Sequence, residues 1–256
     1  MRVLSPSELL GAWERGLQQP PARRALLLLG AACPDLTPGA LEELPIGRRD
    51  ARLLTLREWT FGPRLVSLAQ CPRCGERLEL DFSVSDIRAP GADEEQPPQE
   101  LLLDSEGYEV RFRLPDSRDL LALADEGPPE QEGEGDAHLG EAQRFVLARC
   151  VAAATHNGED VPAGDLPRSV IEAVAACMAQ ADPQGSVRLD LECVACGHKW
   201  DIGFDIVSFF WAEIHAWAYR LLREIHVLAT AYGWHEADIL AMHPARRELY
   251  LQMVGK

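Results

Sequence analysis

The chain has no Gly-x-Gly-x-x-Gly turn and no Gly-rich loop ending in Lys-Ser/Thr, so neither of the common nucleotide cradles is present. Gly-x-Ser-x-Gly and His-Glu-x-x-His are missing as well, which removes the nucleophile elbow and the helical metalloprotease pair. No carboxylate can be singled out as a tuned acid or base, and enzyme activity is not expected. Positive charge is scarce: 25 Lys and Arg stand against 41 Asp and Glu, a net charge of −16, which opposes binding to a phosphate backbone. Long apolar runs are lacking too. Stretches such as Ala25–Leu29 are far too short to span a bilayer, and no apolar leader with a basic flank and cleavage site opens the sequence. A soluble, intracellular protein is expected. With 46% hydrophobic residues over 256 positions, it can bury a sizeable core as one elaborated domain or two small ones.

Cysteine is what stands out. Cys71-Pro-Arg-Cys74 and Cys193-Val-Ala-Cys196 are each followed by Gly and then by a short alternating segment. Leu78, Leu80 and Phe82 follow the first pair at every second place, and Trp200, Ile202 and Phe204 follow the second, the period of a half-buried strand. Val187-Arg-Leu-Asp-Leu191 supplies a leading strand for the second knuckle, and Leu65–Leu68 a weaker one for the first. Gly75 and Gly197 suit the positive φ of a tight turn around a metal. Two thiolates from each pair would complete a closed S4 set for Zn2+, with no position left for water, so the metal is expected to be structural. About 118 residues separate the pairs, against roughly 15 to 20 in a compact ribbon, so the site is expected to clasp distant parts of the chain. The alternatives are a redox pair, disfavoured because strands and not a helix follow each motif, and a disulfide clamp. His198 could replace one cysteine as ligand. Cys33, Cys150 and Cys177, among Ala, Val and Leu, read as buried free thiols.

Residues 1–66 read as a helical unit. Ser5 caps a helix that starts at Pro6 and carries Leu9, Leu10, Trp13 and Leu17; others follow at about 22–32, from Thr37-Pro38, and over Pro45–Trp59. Its arginines, among them Arg49, Arg57 and Arg64, are assigned mainly to solvated helix faces. A split ribbon is expected over 67–88 and 186–206. Between its halves, 89–185 reads as an insert: a Pro-rich connection at 89–99, a hairpin of Leu101–Leu103 with Tyr108–Leu114, a helix from Pro115, an acidic tether over 125–139, and helices near 140–155 and 167–180. Asp165 or Ser169 is the expected cap of the last of these, with Glu172 closing a capping box on Ser169. Residues 207–256 are expected to be helical, with a long apolar helix from Val207 to Tyr232 stopped by Gly233. His215 and His226 share a face of it about 16 Å apart, too far to hold one ion, and read as polar surface residues. The fold class expected is α+β: helical segments around a split four-cysteine zinc ribbon, with a short β-hairpin and a long C-terminal helix. Phe209, Trp211, Trp217, Trp234 and Tyr250 are more large aromatics than one small core readily hides, and they are the candidate partner-binding residues.

Leu44–Pro63 with the first knuckle, Arg111–Leu121, and Tyr232–Leu251 together resemble the T-even-like phage baseplate proteins, also described as baseplate hub assembly chaperones of contractile tails and contractile injection systems. The likeness spans most of the chain, and its most specific parts are the split ribbon and the pattern Ile239-Leu-Ala-x-x-Pro244-x-Arg-Arg-x-x-Tyr250. It implies a structural or assembly role, baseplate, spike or hub proteins as partners, a place in the cytoplasm or in an assembled tail-like particle, and no catalytic residue. The alternative is a zinc-ribbon protein that binds nucleic acid or regulates.

Overall fold

The computed structural model describes residues 1–90, 100–127 and 136–254. Eleven α-helices and eight strands occur among them. The first four helices are α1 (Pro6–Gly16), α2 (Pro21–Ala32), α3 (Pro38–Glu42) and α4 (Ile46–Phe61). The Ser5 hydroxyl accepts from the Glu8 N–H while the Glu8 carboxylate accepts from the Ser5 N–H, a reciprocal cap that fixes where α1 begins. Strands β1 (Arg64–Gln70) and β2 (Arg77–Ser83) form an antiparallel hairpin, closed by the one-turn α5 (Val84–Ile87). β1 thus starts inside the stretch assigned to the helical unit.

The insert contains β3 (Leu101–Ser105), β4 (Tyr108–Phe112), α6 (Ser117–Glu126), α7 (Asp136–Cys150), β5 (Val151–His156), β6 (Glu159–Asp160) and α8 (Arg168–Ala181). Its strands make one antiparallel sheet in the order β3-β4-β5-β6. A second knuckle hairpin follows, β7 (Arg188–Glu192) with β8 (Lys199–Gly203), and then α9 (Ile206–Tyr232), α10 (Glu236–Ala241) and α11 (Pro244–Val254). The fold is α+β, as the sequence pattern predicts.

Four expectations change. Residues 151–155 are strand, not helix: Ala153 and Ala154 face Arg111 and Val110 across the ladder, so pairing with β4 overrides the helical preference of alanine. α8 is preceded by Pro167 with no side-chain cap; the Ser169 hydroxyl instead donates to Glu106, and Glu172 pairs with Arg168. Arg49 and Arg57 are buried and not on solvated faces. Cys177 is only half-buried, whereas Cys33 and Cys150 are buried. Of the two polar connections, 91–99 and 128–135 lie outside the described residues; Asp125 and Glu126 end α6, and residue 136 already begins α7.

Three apolar clusters organise the molecule. The first packs α1, α2 and α4 around the first half of α9, with Leu28, Leu53, Leu54, Phe210 and Ile214 fully or almost fully buried. The second packs β4 and β5 against α7 and α8 through Val110, Phe112, Leu147, Val170 and Val174. The third joins the far half of α9, through Leu221, Ile225 and Leu228, to Ile239 of α10. One 27-residue helix therefore runs through two cores. Its start is fixed by the Asp205 carboxylate, which accepts from the Val207 and Ser208 N–H groups, and its end by Gly233 in the left-handed region at φ 69°.

The first and second clusters meet at a polar seam. The Asp119 carboxylate, fully buried, accepts two hydrogen bonds from the Arg113 guanidinium at 2.7 and 2.8 Å and one from Arg149 at 3.3 Å. Asp116 binds Arg118, which also reaches Glu43, and the Ile46 N–H donates to the Pro115 carbonyl. The Gly47 N–H donates to Asp182 at 2.7 Å, and a Cβ at Gly47 would collide with that carboxylate. Buried Gln184 accepts from the Ala89 N–H and donates to the Ile87 carbonyl, anchoring the chain where it leaves the first knuckle hairpin.

Candidate metal centre

The two knuckles are built alike, bond for bond. In the first, the Cys71 N–H donates to the Glu76 carbonyl at 2.8 Å and the Gly75 N–H to the Cys71 carbonyl at 2.9 Å. In the second, Cys193 donates to His198 at 2.9 Å and Gly197 to Cys193 at 2.8 Å. Gly75 and Gly197 have φ of 77° and 66°, the left-handed geometry that a Cβ disfavours, which is why glycine follows each pair. The register agrees as well: Gln70 faces Arg77, and Glu192 faces Lys199. Alternation on the strands turns Leu78, Leu80 and Phe82, and likewise Trp200, Ile202 and Phe204, to the half-buried side.

This folding brings four thiols to one point. The Sγ atoms of Cys71, Cys74, Cys193 and Cys196 all lie within 4.8 Å of one another. Two contacts cross between the knuckles: Cys71 to Cys196 at 3.7 Å and Cys74 to Cys193 at 3.6 Å. A disulfide would need sulfurs about 2.05 Å apart, so these are four separate thiols. A tetrahedral metal with bonds of about 2.3 Å places its sulfurs roughly 3.8 Å from each other, and the two cross-knuckle distances match that edge. His198 stays out of the cluster and stacks on Trp200 at 5.8 Å.

The electrostatics explain why such a site wants a cation. Burial would raise the Cys71 thiol, but the N–H groups of Cys74 and Arg73 and the neighbouring thiols outweigh it and bring it down to about 7. The Glu76 N–H favours a thiolate at Cys74, yet its hydrogen bonds with Cys196, Cys193 and Cys71, together with desolvation, push it up to about 12. Cys196 is raised too, against the His198 N–H that favours its thiolate. Thiols this close resist ionising together; a dication at their centre removes the repulsion and makes four thiolates compatible.

The aromatic candidates fall elsewhere. Trp211 belongs to the core: it is 7% exposed, Arg24 lies over its ring at 4.7 Å, and a Cβ at Gly16 would strike its indole. That contact leaves it unavailable as a docking anchor, a correction to the sequence-based expectation. Phe209 is half-buried between Phe204 and the Arg57 guanidinium. Trp217 is half-buried between the first and third clusters. Trp234 is half-buried in a stack with Tyr232 at 4.5 Å and an edge contact with Tyr250 at 4.8 Å. The C-terminal pattern is explained by packing: Ile239 is fully buried, Arg247 donates to Glu224 at 2.7 Å, and Tyr250 closes the aromatic stack. His215 and His226 are exposed, as expected, and His215 accepts from the Trp13 indole N–H at 3.1 Å.

Sequence reasoning passed over the Arg113–Asp119 seam. Its signal was the spacing Asp116-Ser-Arg-Asp119, an N-cap acid followed three places later by a second acid, which here forms a capping box.

No helix among the described residues is long and apolar enough to cross a membrane. No curated protein and no solved structure matches the chain. The model of the T4 bacteriophage base plate protein family matches residues 28–211, a span that runs from α2 into the start of α9 and includes all four clustered cysteines while ending before the C-terminal pattern. With both knuckles, the insert between them and most of the first core inside that match, the chain belongs to the T4 bacteriophage base plate protein family.

Proposed function

We propose that the chain is a structural or chaperone-like assembly component of a contractile-tail baseplate, and that Cys71, Cys74, Cys193 and Cys196 hold one structural Zn2+. The observation that carries the reading is the family match over residues 28–211. The four converging thiols support the zinc: a soft, all-sulfur, closed set suits Zn2+, and four protein ligands leave no open position at which water could be activated. The metal then holds two distant chain segments together and performs no reaction, and the protein is non-catalytic. Its partners are hub, spike or other baseplate proteins, and its place is the cytoplasm during assembly or the particle itself.

The rival reading, a zinc ribbon for nucleic acid, gains nothing from three of the arginines of the first 70 residues. Arg57 is buried against Glu213, Arg49 against Asp50, and Arg64 is paired with Asp81, within a chain of net charge −16. Co-expression with the hub and spike proteins of a contractile tail encoded with it tests the proposal. Association with at least one of them is expected, and association with none would overturn it.

A further inference from the structure

The long helix α9 contains only two acids, and both are already used. Glu213 holds the buried Arg57 of α4 at 2.6 Å, and Glu224 holds the buried Arg247 of α11 at 2.7 Å. The two arginines of α9 are left over: Arg220 and Arg223 are exposed and, among the described residues, have no hydrogen-bond, ion-pair or ring partner. Helical spacing sets His215, Tyr219, Arg223 and His226 in one stripe along the helix, with Arg220 at its border. All five are exposed. Tyr219, 57% exposed, rests against Trp13 at 5.8 Å and His215 at 4.8 Å, so its ring is held in place before anything binds. Because the Trp13 indole N–H donates to His215 Nδ1, the neutral imidazole keeps its proton on Nε2 and is a donor there. In a chain of net charge −16, this is a stripe of donors and positive charge.

Carboxylates are the complement of such a stripe: ionised, they only accept, and they take a guanidinium in paired hydrogen bonds. The backbone of α9 is bonded within the helix and offers an incoming chain no ladder, so an occupant must satisfy its own backbone, as a helix does. Acids three and four places apart on that helix repeat at the spacing of the stripe. A nucleic acid suits the face less well. It is charged along its whole length and would run from two arginines onto a surface fed by 41 acids, whereas a short acidic face needs only the local field, which acts over about 8 Å at physiological salt. Arg and Tyr are also the residue types in which binding energy concentrates. We propose that the exposed face of α9 docks an acidic helix of a partner protein, with Asp or Glu on Arg220 and Arg223 and a side chain packed on Tyr219. This names a partner surface for the baseplate role proposed above and rests on that reading.

The probe is a synthetic helical peptide of about five turns with glutamate at every third or fourth place along one face, titrated into the full chain and followed by fluorescence anisotropy. A control peptide carries glutamine in place of glutamate. The Glu peptide is expected to bind, and to lose about tenfold or more in affinity to Arg220→Glu with Arg223→Glu. Both positions are exposed and unpartnered, so this variant should melt like the parent. Arg77→Glu with Arg111→Glu makes the same change in net charge at exposed positions of β2 and β4, and should bind the peptide like the parent. No binding of the Glu peptide, equal binding of the Gln control, or an equal loss in both variants overturns the proposal. So does tighter binding of a single-stranded DNA oligonucleotide that depends on Arg220 and Arg223, which would assign the face to nucleic acid. Self-association of the wild type that Arg220→Glu with Arg223→Glu abolishes overturns it too, in favour of a second copy. Co-expression separates the two readings. A baseplate partner retained equally by the wild type and the Arg220, Arg223 variant removes the α9 face and keeps the baseplate role; a wild type that retains no baseplate partner removes that role, while the peptide result still judges the face.

Discussion

Phe82 and Phe204 meet edge to face with ring centroids 5.7 Å apart and planes at 85°. The pairing joins equivalent positions, since each residue stands eight places after the second cysteine of its own knuckle. The two hairpins are thus held at both ends: by the four thiols at their turns and by this aromatic pair where their strands run into the first core. Phe209 extends the contact from α9 at 5.5 Å from Phe204, tying the second hairpin to the long helix.

From that geometry, Phe82→Ala and Phe204→Ala are not independent. A double-mutant cycle by denaturant unfolding is expected to give a coupling of about 0.5–1.5 kcal/mol, the scale of an aromatic pair beyond its burial. Strictly additive effects would mean that the rings merely share a neighbourhood.

Purified protein is expected to contain one zinc per chain by elemental analysis. Cys74→Ser with Cys196→Ser removes one ligand from each knuckle and from each cross-knuckle pair, and should lower stability by several kcal/mol, the scale of structural zinc sites. A double variant that melts like the parent would contradict the clasp.

Trp211 and Trp234 are expected to fail in different ways. Trp211→Ala opens a cavity beneath Arg24 and Gly16 and should cost about 3–5 kcal/mol, and Gly16→Ala should also destabilise because its new methyl meets the indole. Trp234→Ala removes a half-buried ring from a surface stack; it should leave the melting temperature closer to the parent's and reduce retention of baseplate partners. Thermal melts and co-purification of the three variants separate the roles.

The polar seam predicts an acid dependence. Burial alone would raise the Asp119 carboxyl, but the paired hydrogen bonds from Arg113 and the Asp116 N–H outweigh it and hold it below the usual carboxylate range. A depressed folded value means that the contribution is fully present above the unfolded value of about 3.9 and is lost as pH falls through the folded one. Asp119→Asn should cost about 2 kcal/mol at neutral pH, since it removes the Arg113 partner at 2.7 Å and leaves that guanidinium only Asp116, at 3.3 Å, as a charge partner. The gap between variant and parent in unfolding free energy should narrow below about pH 4. A gap that is constant from pH 7 to pH 3 would assign Asp119 a purely steric role.

Much of this arrangement is legible in the residues themselves. Ser5-Pro6, Thr37-Pro38 and Gly233 mark helix ends through local chemistry, and the Cys-x-x-Cys-Gly knuckles declare both the four-cysteine cluster and the turns that make it. What escapes is decided by distant partners. Val151-Ala-Ala-Ala-Thr-His is strand only because β4 lies beside it, and Arg57 goes inside only because Glu213, 156 positions away, meets it there. Trp211 reads as a possible surface anchor until Gly16 of another helix supplies the gap that its ring fills.

The separation of the knuckles also sets an order of events during synthesis. Cys74 and Cys193 end 3.6 Å apart but are made 119 positions apart, with the whole second core between them. At about 5–20 residues per second, the first knuckle waits roughly 6–24 s for its mate. Throughout that interval the nascent chain carries Cys71 and Cys74 without the two thiols they meet in the folded protein. The knuckles can meet only once Cys196 is made, and the first and third cores can be completed only after that, because both need α9, which follows it in the chain.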